Sequence, residues 1–202
     1  MIKCFFLLLF LFFVNQSFGQ KSDYDFSMDK IAVKDGLVSY TLIDTIPSND
    51  LSKIHSKILE WLSMNFKSSK KVIDLDDKNE NKIIAKGFSN EEYSYKLVAT
   101  NNIYKYEQYF TLNFSLKNNK YRLVISYFRA KGIVSPLTFM IKQDLSVEEY
   151  LAYVPKTYDF EKMTRKERFA LYISKQILEN SCNFSNEIFK SLKSFMKTSE
   201  DF

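Results

Sequence analysis

The feature that most constrains the fold is a strict alternation of apolar and polar residues in the second half of the 202-residue chain. It covers 110–116, pauses at Asn118-Asn119 and resumes over 121–127. The apolar positions are Phe110, Leu112, Phe114 and Leu116, followed by Tyr121, Leu123, Ile125 and Tyr127. A period of two is typical of a β-strand with one buried face, and an asparagine pair suits a tight turn. We therefore predict a β-hairpin with one face covered by the rest of the protein.

Two further hairpins are predicted where apolar runs flank turn residues. They join 31–33 to 37–43 and 72–76 to 82–88. In the first, the turn Lys34-Asp35-Gly36 contains a glycine, which tolerates positive φ. In the second, the short polar side chains of 77–81 tolerate turn geometry. Between the second hairpin and the alternating one, residues 95–106 are predicted to add a strand, which Asn101-Asn102 could break.

Other apolar residues recur every three or four positions, which indicates amphipathic helices. One helix is predicted to follow the capping residues at 47–50, and its buried side carries Leu51, Ile54, Ile58, Trp61, Leu62 and Phe66. Capping boxes that satisfy free amides at a helix start are predicted at Ser146 with Glu149 and at Thr164 with Glu167. The second box opens a longer helix, for which we predict an interruption at 180–183.

The N-terminus has the residue order of a cleavable secretory signal. A lysine is followed by an apolar run from Cys4 to Val14 and then by small residues at Ser17 and Gly19. The run is too short for a bilayer-spanning helix, which needs about 20 residues. We expect cleavage before Gln20 and a periplasmic or secreted protein without a transmembrane span. Because Cys4 stands at the start of the run and not at its end, the protein is not predicted to be a lipoprotein.

Cysteine content and charge constrain the function classes. Cleavage of the signal removes Cys4 and leaves Cys182 as the single cysteine, so no disulfide within the chain is possible. The formal net charge is +5, from 29 basic and 24 acidic residues spread along the chain. This mild excess is not typical of proteins that bind polyanions, so no nucleic-acid partner is predicted.

The sequence lacks the motifs of the common catalytic and cofactor sites. His55 is the only histidine, and with one mature cysteine it cannot form a His-based triad, a Cys-His pair or a zinc cluster. The chain has four glycines and no glycine-rich turn before a helix, so a phosphate cradle is not expected. No cofactor, metal site or catalytic residue is predicted, and we do not expect an enzyme.

Two groups of oxygen-bearing side chains raise alternative functions, a calcium site and a hydrolase. Oxygen ligands of the kind that calcium prefers gather near one turn, at Asp74, Asp76, Asp77, Asn79 and Asn81. Their spacing differs from that of an EF-hand, so a polar hairpin turn is the favoured interpretation. The pairs Glu91-Glu92 and Glu148-Glu149 suit a carboxylate-dependent hydrolase only if two carboxyl groups face one cleft.

One stretch resembles a known family. It consists of Trp61-Leu62-Ser63-Met64-Asn65-Phe66-Lys67-Ser68-Ser69-Lys70-Lys71-Val72-Ile73, then Asp76-Asp77-Lys78, then Lys82-Ile83-Ile84-Ala85-Lys86-Gly87. With the strand Val38-Ser39-Tyr40-Thr41 and the turn Lys120-Tyr121-Arg122, it is similar over about residues 36–130 to an exported Bacteroidetes family of unknown function with a TBP-like fold. The resemblance implies a strand, a helix and then a curved antiparallel sheet. It implies no activity, because the family has no assigned catalytic residues.

These observations predict an α+β protein with a curved antiparallel sheet packed by helices. The predicted organisation is a signal peptide at 1–19, a TBP-like domain at 20–132 and a helical C-terminal extension at 133–202. A TBP-like saddle suggests insertion of phenylalanines into a minor groove. Export and weak charge argue against that activity here.

The predicted function is a noncatalytic binding or interaction module of the bacterial envelope. Its predicted binding surface is an exposed aromatic patch of Tyr93, Tyr95, Tyr104, Tyr106 and Tyr109, which would suit an envelope protein, a peptide or a glycan. A second hypothesis is the carboxylate-dependent hydrolase. A third places the C-terminal helix on a membrane surface, with Lys190, Lys193 and Lys197 opposite Phe184, Ile188 and Phe195.

Overall fold

The computed structural model describes residues 30–46, 50–66, 72–97, 100–117, 119–131, 144–154, 159 and 161–198. Within these ranges, the side chains of 93–97, 100–104, 165 and 198 are left undescribed. The predicted signal peptide at 1–19 and the residues that follow it up to 29 lie outside the described residues.

Strands dominate the first part of the described chain and helices the last. The strands are β1 (Val33–Lys34), β2 (Leu37–Val38), β3 (Tyr40–Thr45), β4 (Ile73–Asp77), β5 (Lys82–Leu97), β6 (Thr100–Lys117), β7 (Lys120–Lys131) and β8 (Asp144–Ser146). The helices are α1 (Leu51–Asn65), α2 (Val147–Ala152) and α3 (Arg165–Thr198). The predicted α+β class is confirmed.

Six of the strands form one antiparallel sheet, in the order β3-β7-β6-β5-β4 with β8 also paired to β7. At its centre, β5 and β6 pair continuously from Lys82 opposite Ser115 to Leu97 opposite Thr100. The separate strand predicted at 95–106 is therefore wrong, because these residues form the far end of this single ribbon. Asn101-Asn102 do not break it, since a β-ladder is held by backbone hydrogen bonds that asparagine also makes.

The alternation in β7 changes phase at a β-bulge. The register shifts between Tyr109 and Thr111 on β6, so that Tyr127 and Phe128 both lie opposite Phe110. Tyr127 has φ 55°, the left-handed conformation that such a bulge usually assigns to glycine. As a result Phe128 is buried and Tyr127 is 63% exposed. The prediction that Tyr127 continues the buried face of the hairpin is wrong.

The first predicted hairpin is confirmed as β1 and β2. Its two turn residues, Asp35 and Gly36, have φ values of 52° and 77°, which is the conformation of a two-residue hairpin turn. The run predicted as one strand at 37–43 is divided, because Ser39 leaves the ladder and donates its N–H to the carbonyl of Ala32. The chain then enters the main sheet at Tyr40.

Helix α1 begins where the sequence predicts. The side chain of Asp50 accepts hydrogen bonds from the N–H groups of Ser52 and Lys53 and so caps the first turn. Four of the predicted stripe residues are fully buried: Ile54, Ile58, Trp61 and Leu62. Trp61 meets Phe114 of β6 edge to face, with 6.2 Å between ring centroids, which fixes α1 on the sheet.

Helix α3 is continuous over 34 residues, so the predicted interruption at 180–183 is wrong. The polar residues there have partners that the sequence does not reveal. Ser181 donates to the carbonyl of Leu178 and lies 3.2 Å from the hydroxyl of Tyr40 on β3. The thiol of Cys182 faces the carbonyl of Lys30 at 3.8 Å. These polar contacts are made inside the continuous helix and with residues outside it.

Both predicted capping boxes are confirmed, at Ser146 with Glu149 and at Thr164 with Glu167.

The helices and one face of the sheet share a single hydrophobic core. The ring of Phe110 on β6 packs on Phe184 of α3 at 4.4 Å and on Phe66, just after α1, at 6.1 Å. Helices α2 and α3 thus pack on the sheet. Among the helices that the structure describes, none is long and apolar enough to cross a bilayer.

Candidate binding surface

The five predicted tyrosines do not form one described patch. On the ladder, Tyr93 lies opposite Tyr104, but the side chains of Tyr93, Tyr95 and Tyr104 fall outside the described residues. Tyr106 is only 3% exposed, and Tyr109 is half-buried. Tyr106 therefore cannot belong to an exposed aromatic patch. For Tyr93, Tyr95 and Tyr104, whose side chains are not described, membership of such a patch stays a prediction.

Tyr106 lies in the contact between β6 and α3. Its hydroxyl accepts a hydrogen bond from Nδ2 of Asn180 at 2.7 Å. Burial raises the pKa of Tyr106 far above its ordinary value, with the Asn180 hydrogen bond opposing part of the rise. Tyr106 therefore holds the helix on the sheet and is not a surface for ligands.

Tyr109 belongs to a small cluster on the other face of the sheet. Its hydroxyl donates to Oε2 of Glu107 at 2.6 Å, and this hydrogen bond is the main reason that its pKa is raised. The ring lies 5.6 Å from that of Phe88, and the ammonium of Lys131 lies 5.9 Å from the ring centroid. Phe88 is 51% exposed, so this part of the sheet presents an aromatic pair to solvent.

The register defines the composition of this second face, which we call the open face. Its members include Thr41 and Ile43 on β3, Lys120, Arg122, Val124 and Ser126 on β7, Tyr109, Thr111, Asn113, Ser115 and Lys117 on β6, Lys82, Ile84, Lys86 and Phe88 on β5, and Leu75 on β4. Apart from Ser126, these side chains are exposed or half-buried. Where α1 and α3 contact the sheet through the rings and hydrogen bonds described above, they contact its opposite face.

Large apolar side chains on the open face are exposed to water. Ile43 is 64% exposed, and Leu75 at the other edge of the sheet is 39% exposed. With Phe88 they span the sheet from β3 to β4. Single exposed apolar residues are ordinary, but a group on one sheet face marks a candidate interaction site. These residues were not predicted as a surface, although Phe88 and Ile84 stand in the opposite alternation phase to the buried Ile83 and Ala85 and could have been found that way.

Basic residues on the sheet fall into two groups. At the end that carries Tyr109, they have partners: Arg129 pairs with Asp144, Lys105 lies 3.6 Å from Glu92, and Lys86 lies 2.8 Å from Asp74. At the opposite end, next to the β6–β7 turn, stand Lys82, Lys117, Lys120 and Arg122. None of these four forms an ion pair with an acid in the described part of the chain.

The acidic residues considered for calcium or hydrolysis have protein partners. Oδ1 of Asp77 accepts hydrogen bonds from the N–H groups of Asn79 and Glu80, which makes the polar turn that the sequence favours. Glu148 accepts from the N–H of Val38, and Glu149 completes the cap of α2. In the described ranges, no three His, Cys, Asp or Glu side chains stand close enough together to hold a metal ion.

The single histidine is buried and lies beside a carboxylate. His55 is 3% exposed on α1, and its Nε2 lies 2.8 Å from Oδ1 of Asp76 on β4. The distance suits an ion pair, but the geometry is not that of a well-formed hydrogen bond. The contact joins α1 to an edge strand and is structural.

The membrane-surface interpretation of the C-terminal helix is not supported by the packing. Ile188 is buried in the core, and Phe184 stacks on Phe110 of the sheet. Lys193 lies 4.0 Å from Asp44 on β3, so even part of its basic side faces the sheet. The apolar side that would enter a membrane is already covered.

Comparison with known proteins identifies the fold. Residues 40–131 match the family described as a domain of unknown function (DUF4468) with TBP-like fold. A DUF4468 family protein from Bacteroides ovatus is 14% identical with a TM-score of 0.58, over 88% of this chain and 96% of its own. A TBP-like protein from Parabacteroides distasonis is 16% identical with a TM-score of 0.50, over 81% of this chain and 97% of its own. No protein of curated function matches in sequence. These likenesses confirm the predicted TBP-like fold.

Proposed function

We propose that this chain, whose residues 40–131 match the DUF4468 family of TBP-like domains of unknown function, is a noncatalytic interaction module of the bacterial envelope. The open face of the sheet is the surface that binds the partner.

The observation that carries this proposal is the exposure of apolar side chains on the open face. Ile43 and Phe88 are each more than half exposed, although the same strands carry buried apolar residues on their other side. Exposed apolar groups of this kind lose contact with water when a partner covers them, which contributes binding free energy. The side chains stand on paired strands of a six-stranded sheet, so little ordering is needed on binding.

The proposal is tested by capture from the cell envelope of the producing organism. The mature protein is immobilised, and bound proteins are identified by quantitative mass spectrometry. The open-face variant carries Ile43→Glu with Phe88→Glu. The matched control carries Met64→Glu with Tyr153→Glu, which replaces residues that are 69% and 58% exposed but lie in the helical segments. Circular dichroism checks that all forms are folded.

We expect one dominant partner to be retained by the wild type and by the control and lost by the open-face variant. Equal retention by all three forms would exclude the open face as the binding surface. Failure of the folded wild type to retain any envelope component would contradict the interaction module itself.

Export is part of the proposal and has its own test. The order of basic, apolar and small residues at 1–19 supports it. We expect the protein isolated from its cells to begin at Gln20 and to fractionate outside the cytoplasm. An intact N-terminus on cytoplasmic protein would contradict it.

A further inference from the structure

We propose that the open face binds an acidic, extended segment of polypeptide at one corner, where Lys82, Lys117, Lys120 and Arg122 gather. We call these four residues the basic corner. The inference rests on the proposed function, because it names the kind of partner that the open face accepts.

The first step is the charge that the fold concentrates there. Lys117 and Lys120 are direct partners on the β6–β7 ladder, and like charges at opposed positions repel each other. Arg122 and Lys82 lie on either side of Ser115, one strand away from it in each direction. Lys117, Lys120 and Arg122 are close together in the chain, and the β5–β6 ladder brings the distant Lys82 beside them; the modest net charge does not reveal this cluster.

The second step is that these four residues form no ion pair in the described chain. The guanidinium of Arg122 contacts the hydroxyl of Ser115 at 3.4 Å and no carboxylate in the described chain. Asp77 is the ladder partner of Lys82, but its Oδ1 accepts hydrogen bonds from the turn amides of Asn79 and Glu80. An anionic partner would therefore relieve repulsion that the described chain leaves in place.

The third step is the surface beside the charges. Two residues along β7 from Arg122 lies Val124, and across the sheet lies Ile84; both are half-buried. Alternate residues of an extended chain recur about every 6.6–6.8 Å, the same spacing as Lys120, Arg122 and Val124 along their strand. An extended segment that lies along β7 would place two acidic side chains and then an apolar one over these three positions.

Burial favours a polypeptide over a lipid surface. To insert into a bilayer, apolar side chains must protrude beyond the charges that contact the headgroups. Here Val124 and Ile84 are half-buried in the sheet, whereas Lys117, Lys120 and Arg122 are exposed around them. Only a ligand that lies flat along the sheet contacts both the half-buried apolar residues and the exposed basic residues.

The probe is a fluorescein-labelled peptide with two repeats of Glu-Thr-Glu-Thr-Val-Thr, and its binding is measured by fluorescence anisotropy. The same peptide with Gln for Glu is the ligand control. The protein variants are Lys120→Glu with Arg122→Glu in the basic corner and Lys190→Glu with Lys197→Glu on exposed positions of α3, an equal change of charge. A milder pair, Lys120→Gln with Arg122→Gln, keeps the test valid if charge reversal impairs folding.

We expect the wild type and the α3 variant to bind the Glu peptide with equal affinity. For both proteins this affinity should fall as the salt concentration rises, and both should bind the Gln peptide poorly. Reversal in the basic corner should weaken binding by about tenfold or more, because two attractive contacts become repulsive. Equal affinities for all variants, or no binding of the Glu peptide, would overturn the inference. Binding to vesicles with 30% phosphatidylglycerol through these residues, without peptide binding, would also overturn it. If the envelope partner is lost by the Ile43 and Phe88 variant but kept by the basic-corner variant, the proposed function stands and this inference fails.

Discussion

Replacing Gln108 should make the protein more stable. Gln108 lies on the core side of β6 and is 0% exposed, yet neither Oε1 nor Nε2 has a hydrogen-bond partner among the described residues. Its ladder partner Ser89 also has a buried hydroxyl that finds no partner in the part of the chain that the structure describes. In the unfolded chain the Gln108 amide and the Ser89 hydroxyl form hydrogen bonds with water. Folding removes these hydrogen bonds, and no described residue replaces them.

The size of the effect follows from that loss. A buried polar group without a partner costs about 1–3 kcal/mol. Gln108→Met keeps the length of the side chain and removes the amide, so we expect the free energy of unfolding to rise by about 1–3 kcal/mol. For a protein of this size, the midpoint temperature should rise by about 2–4 °C for each kcal/mol.

Asn180 provides the matched control, since it is an amide at the same helix–sheet contact but with a partner. Its Nδ2 donates to the hydroxyl of Tyr106 at 2.7 Å. Asn180→Leu should therefore lower the stability by about 1–3 kcal/mol. Both variants are measured by urea unfolding followed by circular dichroism, with the slope of the transition required to stay constant. If Gln108→Met lowers the stability with an unchanged slope, the amide has a partner in solution and the reasoning is wrong.

Three further predictions concern the backbone and the tyrosines. Gly87→Ala should destabilise the fold by about 1–3 kcal/mol in urea unfolding, because the added Cβ would lie 3.0 Å from Cζ of Phe110; unchanged stability would mean that the ring moves freely. Tyr127→Asn should stabilise it by up to about 1 kcal/mol, since asparagine tolerates the φ of 55° better, and a loss in thermal unfolding would argue against strain at the bulge. Burial raises the pKa of Tyr40 and of Tyr150 to about 12, from an ordinary value near 10. The folded state then binds protons more tightly than the unfolded state, so this stability is present below pH 10 and is lost as the pH rises through about 12. Absorbance titration of tyrosinate should show Tyr40 and Tyr150 among the groups that ionise late, together with the buried Tyr106, and ionisation of every tyrosine near pH 10 in the folded protein would contradict this.

Local patterns predicted the elements well where one physical effect dominates. The alternation at 110–116 identified β6 because one side of each strand is buried, and Asp50 marked the start of α1 because a helix start needs an acceptor for its free amides. These effects act between residues near each other in the chain. They are therefore visible in the sequence.

The errors arose where a partner distant in sequence decides the outcome. Nothing near Tyr127 shows that the bulge will bury Phe128 in its place, since both are aromatic and the choice depends on packing opposite Phe110. Asn180 and Ser181 suggest the end of a helix until their partners on the sheet are known. For the same reason, the sequence could not separate the buried Tyr106 from an exposed patch.

The candidate surface was only partly predictable. That one sheet face would be covered followed from the alternation. The basic corner followed only in part. Lys117, Lys120 and Arg122 are neighbours around one turn in the sequence, but Lys82 joins them only through the register of β5 and β6.

The packing of α3 on the sheet has a consequence for synthesis on the ribosome. The helix follows every strand in the chain, so β3 to β7 leave the ribosome before the helix that covers part of their apolar side. Chain synthesis proceeds at about 5–20 residues per second, so the apolar side of the sheet stays without α3 for several seconds. During this interval a chaperone that shields apolar strands is expected to keep the nascent chain from aggregating. The segment 40–131 that matches the family model is thus shorter than the unit that covers its own core.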